Sequence, residues 1–308
     1  MQFTLTILGT SSALPTSSKF PTAHVLNIHE RFFLIDCGEG TQMQLRRLGI
    51  NLSRINHIFI SHLHGDHVLG LFGLISTLSL LGRKDDLHIY SYYLLDNILK
   101  DHLKYFEPNL PFNVVVHSVD TRLFQQIYSD KSVEVYSIPL EHRVPTCGFL
   151  FKEKAPLMNI HKELIAYYKI PLSQIHRIKE GEDFIADDNS VVANRVLAYK
   201  PYIPRSYAFC SDTAFSPIVA TYIKGVDLLY HEATFGSELQ NLAKKTGHST
   251  ANQAAEMAVI AEAKKLLIGH FSARYKNTDK LLNEAQQIFP NTVAVKEGDI
   301  YNIPLKKE

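Results

Sequence analysis

Polar and apolar positions alternate along Met1-Gln2-Phe3-Thr4-Leu5-Thr6-Ile7, and this period of two predicts a strand over 2–8. Strand-like segments follow at 22–28 and 31–36. The third runs into Asp36-Cys37-Gly38-Glu39-Gly40-Thr41-Gln42, ahead of a helix at 41–48. The run 55–60 is apolar and β-branched, so it reads as a buried strand. From Val68 the period changes to that of a helix, with Val68, Leu71, Phe72, Ile75 and Leu78 on one face. A strand at 87–91, a helix at 92–106 and β-like runs at 112–118 and 133–138 come next. Residues 153–205 break this rhythm with charges, prolines and one short helical piece at 161–168. They read as an arm inserted into a single domain that spans 1–308. Strands ending at Asp212 and His231, a helix at 251–263, a strand at 264–269 and a helix at 278–289 follow. Thr250 and Gln253 have capping-box spacing at the start of the 251–263 helix. Strands interleaved with helices predict an α/β fold.

Composition changes this picture only by exclusion. No apolar run approaches the ~20 residues that span a bilayer, and the opening strand has none of the character of a secretion signal. The formal net charge is +1, so a polyanion would have to be held by a local patch. Cys37, Cys147 and Cys210 are isolated and odd in number, which excludes a disulfide frame and a thiolate zinc site and points to a reducing cytoplasm.

The candidate chemistry sits where strands end. Ser61-His62-Leu63-His64-Gly65-Asp66-His67 packs three imidazoles and a carboxylate into the turn after the 55–60 strand. Imidazole nitrogen and carboxylate oxygen suit a divalent metal such as zinc, and a helix cap needs one polar side chain, not four. His142, Asp212, His231 and His270 also follow or close apolar strands. Open α/β sheets gather ligands at one edge, outside the carboxyl ends of their strands. A pair of metals needs six or seven protein ligands and a bridging carboxylate. His62, His64, Asp66, His67, His142, Asp212 and His270 supply seven. Asp36 is a candidate helix cap or ligand, and His248, just outside the 251–263 helix, is placed to face a site.

In their order and spacing, His62-x-His64-x-Asp66-His67, His142, Asp212 and His270 resemble the metallo-β-lactamase fold superfamily. Three finer features resemble ribonuclease Z, the tRNA 3′-processing endonuclease. They are Phe-Leu-Ile-Asp36-Cys-Gly-Glu-Gly-Thr-Gln, the tetrad His231-Glu-Ala-Thr with Gly-His248-Ser-Thr, and Gly-His270-Phe-Ser-Ala-Arg274-Tyr. The resemblance covers nearly the whole chain. It implies a four-layer αβ/βα sandwich, two mixed sheets between helices, carrying an inserted arm at 153–205. It further implies two zinc ions per chain, one held by His62, His64 and His142 and the other by Asp66, His67 and His270. Asp212 would bridge them, and Asp36 would support a ligand histidine. The implied substrate is a precursor tRNA with a 3′ extension, cut to a tRNA 3′-hydroxyl and a trailer with a 5′-phosphate. Asp66 would accept a proton from the attacking water, and His248, oriented by Glu232, would protonate the leaving ribose oxygen. Arg274 and Lys19 are the leading candidates for phosphate contacts, and the resemblance implies a homodimer in which one subunit's arm serves the other's site; the cytoplasm and the absence of a membrane partner follow from the cysteines and the apolar runs above.

The sequence departs from the family pattern in two places. The arm is expected to be basic, but its Gly-Pro tip is replaced by 170–181, Ile-Pro-Leu-Ser-Gln-Ile-His-Arg-Ile-Lys-Glu-Gly. The loop 15–21 offers Lys19 where the family has Arg-Asn, and lysine makes no bidentate fork to phosphate. An alternative reading is a dinuclear-metal phosphodiesterase of the same fold acting on small phosphodiesters or other RNA ends. An RNA- or protein-binding protein without catalysis is a third.

Overall fold

The structure is a computed structural model that describes residues 1–307 apart from Pro15 and Ser18. The loop 15–21 singled out above is therefore described only in part. The chain folds into two compact units, a larger one of residues 1–152 and 206–303 and a smaller one of 153–205 and 304–308.

The larger unit contains two seven-stranded mixed sheets. The first runs in the order Ile300–Asn302, Phe3–Gly9, Ala23–Ile28, Arg31–Ile35, Ile55–Phe59, Leu87–Ser91, Val114–Ser118. The second runs Thr292–Ala294, Leu266–Gly269, Leu228–Glu232, Ser206–Cys210, Cys147–Glu153, Val133–Pro139, Gln125–Ser129. Alternating residues of each sheet meet in one aromatic-rich core, where Phe33, Phe59, Phe149, Phe151, Phe209 and Tyr230 are buried together. The opposite faces are covered by helices. Val68, Leu71, Leu74, Ile75 and Leu78 of the helix Gly65–Leu80 pack on the first sheet. The small residues Ala251, Ala254, Ala255 and Ala258 of Ala251–Ile260 let that helix lie close against the second. The result is the expected helix–sheet–sheet–helix stack.

Strands Arg31–Ile35 through Val114–Ser118 are parallel neighbours, as are Ser206–Cys210 through Thr292–Ala294. Their carboxyl ends carry the 62–67 turn, Asp212 and His270.

The smaller unit differs from expectation in two respects. It holds the helices Lys162–Tyr167, Leu172–Lys179 and Asn194–Leu197 and two short two-stranded pairings around Ile160, Ile170, Ile178, Phe184 and Leu197, so it has a core of its own. It is also not basic: residues 153–205 contain eight Lys and Arg against seven Asp and Glu. Two strands of the larger unit, Gln125–Ser129 and Cys147–Glu153, are likewise not among those expected from the pattern.

Candidate metal centre

The 62–67 turn is built on a buried network. Asp36 sits at the end of Arg31–Ile35 with φ of 55°. It caps no helix, since Gly40 is the N-cap of Thr41–Arg47. Instead its carboxylate accepts from the Ser61 N–H at 2.8 Å, the Ser61 hydroxyl at 2.9 Å and His67 Nδ1 at 2.7 Å. Gly38 and Gly70 permit this packing, because a Cβ on either would collide with backbone, at Asp66 and at Gly38 respectively. Asp212 and His270, at the ends of two further strands, also take left-handed backbone, with φ of 57° and 56°. Non-glycine residues rarely hold this conformation unless the surroundings fix it, and such residues gather at functional sites.

The structure brings all seven expected ligands together. Asp212 lies between two groups: its Oδ2 is 3.5 Å from His62 Nε2 and 3.8 Å from His142 Nε2. Its Oδ1 is 3.2 Å from His67 Nε2 and 3.1 Å from His270 Nε2. Asp66 Oδ2 is 3.4 Å from His67 Nε2 and 3.6 Å from His270 Nε2, and it accepts the Ala13 N–H at 2.8 Å. His62 Nε2 and His64 Nδ1 are 2.9 Å apart. Two ligand sets result, His62, His64, His142 and Asp212 on one side and Asp66, His67 and His270 on the other, and a third grouping, Asp212, His248 and His270, overlaps them.

Whether these residues fit metal can be judged from their far nitrogens. A carbonyl or carboxylate only accepts, so each Nδ1 facing one carries the proton. His67 Nδ1 donates to Asp36, and His142 Nδ1 donates to the Gly247 carbonyl at 2.7 Å. His62 Nδ1 faces Ser61 Oγ at 3.0 Å, and His270 Nδ1 faces Thr234 Oγ1 at 2.9 Å. The Nε2 atoms of His67, His142 and His270 are buried and have no hydrogen-bond partner. A buried lone pair with no donor is costly unless a cation fills the space, and an outer hydrogen bond on the opposite nitrogen is how metal-ligating histidines are held. Gly247 has φ of 73°, and a side chain there would stand 3.0 Å from His142 Nδ1. The residues therefore fit divalent metal.

The groups shift one another's titration in both directions: burial would lower His67, but the carboxylates of Asp212, Asp36 and Asp66 outweigh it and raise it well above the ordinary imidazole range. Burial alone would raise the Asp212 carboxyl, but the imidazoles of His270, His67 and His62 outweigh it and hold it well below the usual carboxylate range. Burial and the neighbouring His67 keep His62 neutral, as a ligand must be.

Glu232 and His248 form a second group at the rim. His248 Nδ1 is 2.8 Å from Glu232 Oε1. Glu232 is buried and also accepts from the Thr213 N–H at 2.7 Å and the Thr234 hydroxyl at 2.5 Å. Burial would lower the His248 pKa, but the Glu232 carboxylate beside it raises it to about 9. A central cavity of ≈ 380 Å³ is lined by His64, Asp66, Asp212, His248 and Arg143.

Not every candidate reaches this centre. His231 is buried with Nδ1 on its neighbour's carbonyl, away from both ligand sets. Arg274 lines an adjoining cavity with His248, its guanidinium 5.8 Å from the Phe235 ring. The Lys19 ammonium stands 5.8 Å from the ring of Phe271, next to His270. Sequence reasoning missed Thr234, which joins Glu232 to His270. It stood in the His-Glu-Ala-Thr tetrad, where a hydroxyl two residues after a buried carboxylate was the available signal. Arg143 was also missed, although it directly follows a ligand histidine.

Comparison with known proteins decides the family. Ribonuclease Z of Bacteroides thetaiotaomicron is 51% identical over 297 residues, 96% of this chain and 94% of that protein. The chain belongs to the ribonuclease Z family. The crystal structure of human tRNase Z, short form, superposes with a TM-score of 0.71 at 26% identity, covering 98% of this chain and 99% of that one. The metallo-β-lactamase fold protein YhfI of Bacillus subtilis, 17% identical, has a TM-score of 0.69 over 98% of this chain and 100% of its own, which speaks to the fold alone. Residues 3–158 also fall within the family whose model is described as Anti-Pycsar protein Apyc1, and this half carries Asp36, the 62–67 turn and His142.

Proposed function

We propose that this chain is a metal-dependent endoribonuclease that removes 3′ extensions from precursor tRNA. The observation that carries the reading is the convergence of five imidazoles and two carboxylates, with buried Nε2 atoms left unpartnered, in a chain half-identical along its length to a protein named Ribonuclease Z.

His62, His64 and His142 would hold one ion, Asp66, His67 and His270 the other, and Asp212 both. Imidazole nitrogens with carboxylate oxygens suit zinc, which is our assignment, two per chain. Bound there, the ions would supply Lewis acidity and lower the pKa of water towards neutrality. The remaining steps belong to the protein. Asp66, fixed by the Ala13 N–H, accepts a proton from the attacking water. The P–O3′ bond breaks, and its electron pair leaves with the ribose oxygen. That oxygen takes the proton from His248 Nε2, while Glu232 holds Nδ1 and keeps the ring charged at neutral pH. The water oxygen stays on phosphorus, so the trailer carries a 5′-phosphate and the tRNA a 3′-hydroxyl.

Arg274 and Lys19 are assigned to substrate phosphates. With a net charge of +1 and an arm that is nearly neutral, affinity must come from such local contacts and fall with salt. A homodimer in the cytoplasm, with one subunit's arm serving the other's site, belongs to the same proposal. No helix among the described residues is long and apolar enough to cross a membrane. The test is to assay 3′-extended precursor tRNA beside bis(p-nitrophenyl) phosphate on metal-loaded protein. Chelator-sensitive cleavage of the RNA is expected; turnover of the small ester alone would favour a small-molecule phosphodiesterase.

A further inference from the structure

One large feature of the metal-bearing unit plays no part in the mechanism above. A cavity of ≈ 800 Å³ abuts the centre through His142 and is walled by Tyr92, Tyr93, Arg122, Arg143 and Pro145. This is room for a nucleotide, by the usual size of small-molecule sites. The Tyr92 and Tyr93 ring centroids are 4.6 Å apart, and Tyr93 is 53% exposed, so an aromatic face is presented on a supported pair. Arg122 is clamped by Asp120 in a two-pronged pair, Nε to Oδ1 at 3.0 Å and Nη2 to Oδ2 at 2.8 Å, which neutralises its charge and leaves it a planar wall. Arg143 differs: its side chain makes no hydrogen bond or ion pair with any described residue, and it stands where this cavity, the central one and the ≈ 490 Å³ cavity beside Phe235 meet, lining all three.

The direction of cleavage decides what belongs here. The 3′-oxygen of the last tRNA nucleotide leaves with the proton of His248, so that nucleotide lies on the His248 side. His248 lines the central cavity and the one of ≈ 490 Å³ that contains Phe235 and Arg274, but not the ≈ 800 Å³ cavity. The nucleotide on the other ester of the same phosphate is the first of the trailer; His142 and His248 are neighbours, with ring centroids 5.0 Å apart, so what separates the two directions is the ≈ 800 Å³ cavity, which His142 lines and His248 does not. We infer that the His142-side cavity binds this first trailer nucleotide, its base stacked on Tyr93 and a trailer phosphate held by Arg143. The inference rests on the ribonuclease reading and adds the substrate's second half to it.

Two precursor tRNAs test it, identical except that the first trailer nucleotide is normal in one and abasic in the other. Stacking on an aromatic side chain accounts for roughly ten-fold per base or more. Wild-type enzyme should therefore show kcat/KM about ten-fold lower on the abasic substrate, chiefly through KM. Tyr93→Phe should keep that ratio, and Tyr93→Ala should bring it close to one. Because the ratio is taken within each variant, general damage to the enzyme cancels. In a second readout, a 5′-phosphorylated trailer trinucleotide should inhibit wild type more than its 5′-hydroxyl counterpart, and Arg143→Gln should narrow the difference. A wild type indifferent to the missing base, or a Tyr93→Ala variant with the wild-type ratio, would overturn the subsite while leaving the ribonuclease reading intact. Failure of wild type to cut either RNA would overturn the ribonuclease reading and the subsite with it.

Discussion

The residue with the sharpest chemical signature is His248. Its imidazole is tied to buried Glu232 at 2.8 Å and held charged near neutral pH, the state of a proton donor. A donor matters in proportion to how badly the leaving group needs a proton. His248→Ala should reduce kcat on precursor tRNA by about 10²–10⁴-fold. On bis(p-nitrophenyl) phosphate, whose leaving group departs as a stable anion, the loss should stay within about ten-fold. Equal losses on both substrates would remove His248 from that role. A second residue, His57, carries a prediction about stability. Burial, reinforced by the stacked His88, lowers its pKa to about 4 from an ordinary value near 6.5. The unfolded chain therefore binds a proton below pH 6.5 that the folded chain refuses until about 4. Stability supplied by neutral His57 is present above pH 6.5 and lost as the pH falls towards 4. The loss is up to about 3 kcal/mol, at ~1.4 kcal/mol for each pH step between the two values. Thermal melts from pH 7.5 to 4.5 should show a shallower decline for His57→Asn than for wild type. Parallel declines would contradict it.

At the scale of elements, sequence and structure agree where burial is one-sided and part where it is not. Alternation in the first strand and the apolar run before His62 predict strands because each faces a core. Gln125–Ser129 escaped because it is an edge strand, Gln-Gln-Ile-Tyr-Ser, only partly buried and lacking the apolar run of a central strand. Cys147–Glu153 ends in charges that read as a surface, yet Glu153 is buried against Arg205. The ligands themselves were legible because metal chemistry restricts residue type and strand ends restrict position. Of the hydrogen bonds that orient them, the one to Asp36 was expected, but the Gly247 carbonyl reaches His142 from 105 residues away and Thr234 reaches His270 from 36, separations that the local pattern does not bridge. Glu153 and Arg205 flank the arm in sequence, and their pair is almost fully buried, with Nη2 to Oε1 at 2.6 Å. Arg205→Met takes the guanidinium away from a buried carboxylate and should cost about 3–5 kcal/mol, whereas Glu153→Gln with Arg205→Met should recover part of it. Chemical denaturation of the two variants checks this; a single variant as stable as wild type would show that the pair matters little.

For the whole molecule, the central claim is that groups spread from His62 to His270 act as one metal centre that cuts tRNA at its 3′ boundary. Fold and ligand set alone admit other phosphodiesters. What separates the readings is the bond that breaks and the ends it leaves. The most direct measurement is to map both product ends after metal-loaded enzyme acts on a 3′-extended precursor tRNA, with Asp66→Ala in parallel. Cleavage should leave a tRNA ending in a 3′-hydroxyl at the mature boundary and a trailer beginning with a 5′-phosphate, and Asp66→Ala should yield neither. A trailer with a 5′-hydroxyl, scattered cut positions, or unchanged cleavage by Asp66→Ala would contradict it.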